Sequence, residues 1–148
     1  MPGVVKLLDY IETSSEYLIV MELLHCCDLF DLISRCGTLE EEVAKEIFIQ
    51  VVNTVIQCQK KQVLHGDIKD ENILIDLDSG AAKMIDFGSG SWSPRLDDHD
   101  NDSDPVIYNH YEGTRVYAPP EWLLYRQYTG EYWPLIGQYR SRDLNTGL

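Results

Sequence analysis

His65-Gly66-Asp67-Ile68-Lys69-Asp70-Glu71-Asn72 is the stretch on which the reading of this chain turns. It holds an Asp, a Lys two residues on and an Asn five residues on, all in one loop. Those groups can accept a hydroxyl proton, neutralise growing anionic charge and offer an oxygen to a hard cation. Phosphoryl transfer asks for that set, because it needs positioning and charge neutralisation more than covalent chemistry. Two further elements follow in order: Asp86-Phe87-Gly88, then Gly113-Thr114-Arg115-Val116-Tyr117-Ala118-Pro119-Pro120-Glu121-Trp122. Either alone would carry little weight; their order and spacing carry the argument.

Working outward, Ile73-Leu74-Ile75 and Ala82-Lys83-Met84-Ile85 flank Asp78-Ser79-Gly80, a turn signal between short apolar runs. The hairpin predicted there returns the chain so that Asp86 comes close to Asn72 and can share a metal with it. Phe87 is expected to pack inward and Gly88 to allow a sharp turn. Upstream, Val43, Ile47, Val51 and Val55 recur every four residues, joined by Ala44, Phe48, Val52 and Ile56. That stripe predicts a largely buried helix running to Lys60 or Lys61. Thr38-Leu39-Glu40-Glu41 matches a capping box, with Thr38 as N-cap. Asp28 to Ile33 reads as a short helix capped by Asp28 and ending near Gly37. The β-branched and aromatic runs Val4 to Ile11 and Tyr17 to Leu23 read as a strand pair, and Val63-Leu64 as a further short run. Ser89 to Gly113 shows no periodicity and reads as one long loop, with an acidic block of Asp97, Asp98, Asp100, Asp102 and Asp104. No structure is assigned to the tail from Glu131.

Composition is that of a globular chain: 148 residues, 44% apolar and 25% charged. No apolar run is long enough to span a bilayer, so the expected location is the cytoplasm, with the nucleus as the second choice. Cys26, Cys27, Cys36 and Cys58 have no metal-knuckle spacing and are expected to be reduced. A net charge of −13 argues against nucleic acid and anionic membranes as partners and favours basic ones.

The three elements together resemble the eukaryotic serine/threonine protein kinases. Within them, Asp28-Leu29-Phe30-Asp31, Asp67 to Asp76, Ile85 to Gly90 and Gly113 to Tyr117 with Pro119 to Trp122 look like the PIM kinases. The resemblance covers about residues 1–130. It implies an α+β, protein-kinase-like fold in part: the last strands of the N-lobe and the hinge (1–27), then the first part of a mainly helical C-lobe (28–130). The activation segment would lie at about 86–121, and 131–148 would be a divergent tail. The resemblance implies ATP and Mg²⁺ as cofactors. Asp67 would be the base, with Lys69 and Asn72 beside it, and Asn72 and Asp86 would ligate the metal. Glu22 and Leu24 would lie at the adenine-binding hinge behind Met21. Asp28, Asp31, Asp70, Glu71 and Thr114 would contact a protein substrate that is basic around its phosphoacceptor. His65 is expected to hold the loop rather than do chemistry.

Some positions depart from that pattern. Gly66 stands where most kinases carry an Arg that ties this loop to a phosphorylated activation segment, which implies different regulation. The hinge is shorter than in the PIM group, and the acidic block is additional. Nothing before Pro2 resembles a Gly-rich loop or a strand-borne Lys, and Glu121 is expected to lack its usual arginine partner. Two functions follow: a kinase acting on serine or threonine, or a truncated, non-catalytic binding module that grips basic peptides or a kinase partner.

Overall fold

The computed structural model describes residues 1–92 and 107–129. In chain order the elements are β1 (Leu7–Glu12), β2 (Tyr17–Met21), β3 (Cys26–Asp28), α1 (Leu29–Cys36), α2 (Glu41–Lys60), β4 (Val63–Leu64), β5 (Ile73–Asp76), β6 (Ala82–Met84), β7 (Ser91–Trp92), β8 (Ile107–Tyr108), α3 (Pro120–Tyr125) and β9 (Tyr128–Thr129). Single 3-10 turns occupy Asp70–Asn72 and Arg115–Tyr117. The mixture is the α+β class that the sequence implied. Of the described residues, 1–57 and 69–86 form one unit, and 58–68, 87–92 and 107–129 form another. The acidic block at 97–104 and the tail from 131 lie outside the described residues.

In the first unit, β1 and β2 pair antiparallel, and every residue of both strands is exposed. Thr13 closes their turn, its hydroxyl accepting from the Glu16 N–H at 2.9 Å. A second sheet has the order β3-β5-β6, all antiparallel. β3 was not foreseen, because Cys26-Cys27-Asp28 is too short to show alternation. Along β5 and β6 burial alternates, so Ile73, Ile75, Ala82 and Met84 enter the core while Leu74 and Lys83 face the other way. Gly80 ends the predicted turn at φ +71. Gln50 of α2 clamps that hairpin: its amide donates to the Gly80 carbonyl, and its Oε1 accepts from the Ala82 N–H at 2.9 Å. The N-terminal residues join the same sheet, with Val5 N–H donating to Met84 O and Met84 N–H to Gly3 O.

α1 matches its sequence signals. Asp28 accepts from the Asp31 N–H at 2.7 Å, and Gly37 closes the helix at φ +77. α2 departs from them at its start. It begins at Glu41, with Ala44 N–H donating to Glu40 O, so Glu40 and not Thr38 holds the cap position. Leu39, two residues before the helix, is half-buried. Burial of α2 is also narrower than expected. Ile47 and Val55 are buried with Thr54, Val51 and Val52 are half-buried, and Val43, Phe48 and Ile56 are exposed.

The second unit begins at the end of α2, where Gln62 reverses the chain at φ +60. β4 pairs with β7, and β8 with β9. The expected unbroken loop from Ser89 to Gly113 therefore carries two short strands, each formed by pairing with residues distant in sequence. All four cysteines are free. Among the described residues no helix is long and apolar enough to cross a membrane.

Candidate active site

In the second unit the loop after β4 is built around His65. The ring is buried, its Nδ1 accepts from the Asp67 N–H at 3.2 Å, and it lies 4.5 Å from the Phe87 ring. This is the holding role expected of His65 and the inward packing expected of Phe87. Gly66 takes φ +84, and a Cβ there would land on the carbonyl of Ser89. Past the bend, the half-buried Asp67 meets Thr114, whose N–H donates to its Oδ1 at 2.6 Å. A backbone donor on a carboxylate at that distance is a charge-assisted hydrogen bond. It joins two of the three sequence elements across 47 positions of chain.

In the first unit, Lys69 precedes the 3-10 turn and pairs with Glu71, Nζ to Oε2 at 3.4 Å. Asn72 closes the turn and is buried. Its carbonyl accepts from the Ile85 N–H at 3.0 Å, which brings it beside the strand that delivers Asp86. That adjacency is what the hairpin was expected to achieve. The sharp turn expected at Gly88 is present, closed by the Gly90 N–H donating to the Phe87 carbonyl at 2.9 Å, while just before it Asp86 takes φ +61. Asp tolerates this conformation better than most residues, and such strain gathers at functional sites.

Glu22 follows β2. Its Oε1 accepts from the Lys6 N–H at 2.9 Å and from Lys83 Nζ at 2.5 Å. The side chain is thus committed to structure, and so is the Glu22 N–H, which donates to the Lys6 carbonyl at 2.9 Å. Leu24 is half-buried. Of the acidic residues expected to meet substrate, Asp28 caps α1 and Asp31 pairs with Arg35 at 3.1 Å. Asp70 and Glu71 lie in the turn against which α1 packs, so the four occupy neighbouring segments. The Lys83–Glu22 pair had no sequence signal, since its partners are 61 positions apart.

A family profile for the protein kinase domain matches residues 1–133. The chain belongs to the protein kinase family. The serine/threonine-protein kinase pim-2 of Danio rerio is 47% identical over 128 residues, 85% of this chain and 38% of that protein. The serine/threonine-protein kinase prk-2 of Caenorhabditis elegans is 42% identical over 129 residues, 86% of this chain and 27% of that protein. A serine/threonine-protein kinase 1 of African swine fever virus is 37% identical, covering 86% of this chain and 40% of that protein. The chain thus spans between about a quarter and two fifths of these relatives' lengths.

Protein kinases use ATP and Mg²⁺, and the residues present fit the metal. Asn72 offers an amide oxygen and Asp86 a carboxylate, both hard donors, and Mg²⁺ takes its remaining ligands from water and phosphate.

The Glu22–Lys83 pair is also expected to make the fold of this kinase segment pH-dependent. The hydrogen bond from Lys83, then the Lys6 N–H, holds the Glu22 carboxyl below its ordinary value of 4.5. Asp76 is likewise held down, first by the Ser79 N–H. A carboxyl whose pKa is lowered by folding stabilises the fold above its unfolded pKa and loses that contribution as pH falls through the folded one. Urea midpoints should therefore drop on acidification from about pH 4.5 downward. Glu22→Gln should flatten that slope in part, leaving the share due to Asp76. An unchanged slope would show that the pair does not stabilise the fold.

Proposed function

We propose that this chain is the phosphotransfer portion of a serine/threonine protein kinase. It moves the γ-phosphate of ATP to serine or threonine of proteins that are basic around the phosphoacceptor. Asp67 takes the proton of the attacking hydroxyl, with Thr114 holding its carboxylate in place. Lys69 neutralises charge on the transferred phosphoryl group, exchanging its contact with Glu71 for the phosphate oxygens. Asn72 and Asp86 hold Mg²⁺, which supplies charge neutralisation on the ATP phosphates. Glu22 receives adenine through its carbonyl, since its N–H is held by Lys6, and Leu24 through its backbone. Asp28, Asp31, Asp70 and Glu71 attract arginines upstream of the target hydroxyl.

The observation that supports this reading most is the 2.6 Å contact between the Thr114 N–H and Asp67. It ties the segment expected to carry substrate to the expected base. The test uses labelled ATP with Mg²⁺ and two serine peptides, one with upstream arginines and one with glutamates instead. Phosphate should pass to the arginine peptide at least about tenfold faster, a difference of about 1.4 kcal/mol, and stop when EDTA is added. Binding of the arginine peptide without any transfer, in the full-length protein, would instead establish the binding module. Equal transfer to both peptides would end the basic-substrate reading.

A further inference from the structure

We propose that Tyr111 is a positioning residue for Asp67, a role that rests on the reading of Asp67 as the base. The Tyr111 hydroxyl donates to the Thr114 carbonyl at 3.2 Å. That same carbonyl accepts from the Tyr117 N–H at 2.9 Å, so two donors use its two lone pairs. The N–H of the same residue, Thr114, is the group that reaches Asp67 at 2.6 Å. Thr114 is therefore gripped at its carbonyl while its amide faces the base. A side chain that fixes one side of the residue limits where the other can point.

Contact with the turn is direct. A Cβ at Gly113 would strike the Tyr111 hydroxyl on one side and the Gly66 carbonyl on the other. Gly113 is thus the spacer that lets Tyr111, the turn and the loop of Asp67 come together. The ring is itself anchored by an aromatic group from α3 and the β8–β9 pair. Its centroid lies 5.9 Å from Trp122 and 5.9 Å from Tyr128, the latter edge-on at 85°. Tyr128 stacks on Tyr108 at 5.3 Å and meets Trp122 edge-on at 6.3 Å. Pairs at these separations and angles are favourable beyond the area they bury. The aromatic cluster sets the ring, and the hydroxyl passes that order to Thr114.

A hydroxyl that merely satisfies a carbonyl would be a local matter with no consequence at Asp67. Tyr111→Phe separates the two, since it keeps the ring and the packing and removes only the hydroxyl. In the full chain, amide hydrogen exchange followed by NMR should show Thr114 exchanging about fivefold faster, the effect of about one lost hydrogen bond. Amides of α1 and β5 should not change. In an Asp67→Ala background the Thr114 amide already lacks its acceptor, and Tyr111→Phe should then add nothing at that position. Where wild-type phosphotransfer is measurable, Tyr111→Phe should lower kcat with KM for ATP unchanged. Unaltered exchange at Thr114, or an equal rise with and without Asp67, would overturn the proposal. Failure of the kinase reading would appear separately, as absent transfer by wild type with the exchange coupling intact.

Discussion

Asp67→Asn is expected to lower phosphotransfer by the full-length protein by about 10²–10⁴-fold, the usual contribution of a positioned general base. The substitution is well suited to this site. Asn keeps the size of the side chain and one oxygen that can still accept the Thr114 N–H, now at 2.6 Å from Asp67. The turn that closes on residue 67 should therefore survive, and thermal unfolding should change little. What is lost is the negative charge and the capacity to take a proton. Because the loss falls on the reacting step, kcat should drop while KM for peptide stays within a few-fold. A rate reduced less than tenfold would remove Asp67 from the role of base. A large loss accompanied by an equal fall in stability would point instead to a structural carboxylate.

Much of the site could be read from the chain, and the part that could not has identifiable causes. The caps of α1 at Asp28 and Gly37 and the β5–β6 hairpin around Gly80 depend on neighbours within a few residues, so local chemistry specifies them. Asp67 and Thr114 are 47 positions apart, and only the resemblance to the kinases placed both at one site. The Glu22–Lys83 pair carried no such clue: an outward Lys at period two in a strand finds its partner through tertiary geometry alone. Periodicity marked the apolar face of α2 but not how much of it is covered, hence the exposed Val43, Phe48 and Ile56. Strands of two residues, such as β7, β8 and β9, are shorter than any alternation that could reveal them. The turn at Gly88 was legible from its glycine, but nothing in the sequence marked the positive φ of Asp86 two residues earlier. Asp can adopt that conformation without being glycine, so residue type alone does not reveal it.

Gly66→Arg, which restores the residue most kinases have there, is expected to destabilise this protein by about 2–5 kcal/mol. Two effects add. Gly66 sits at φ +84, and a non-glycine residue in left-handed backbone costs about 1–2 kcal/mol. Its Cβ would also overlap the Ser89 carbonyl, which is backbone and cannot swing aside as a side chain could. Displacing a packed neighbour of that kind costs about a further 1–3 kcal/mol. Neither effect involves the guanidinium, so Gly66→Ala should cost nearly as much as Gly66→Arg in urea unfolding. That equality is the diagnostic result. If Ala is tolerated and Arg is not, the bend has room and charge or bulk is the obstacle. If both are tolerated within about 0.5 kcal/mol, the range of an ordinary surface change, the close approach of Ser89 is not a constraint. The expected result has a consequence for control. Where an arginine would tie this loop to a phosphorylated activation segment, Gly66 lets backbone meet backbone, with Ser89 on one side and Gly113 against its own carbonyl. Contact between the loop of Asp67 and the segment around Thr114 then depends on close packing rather than on an added phosphate.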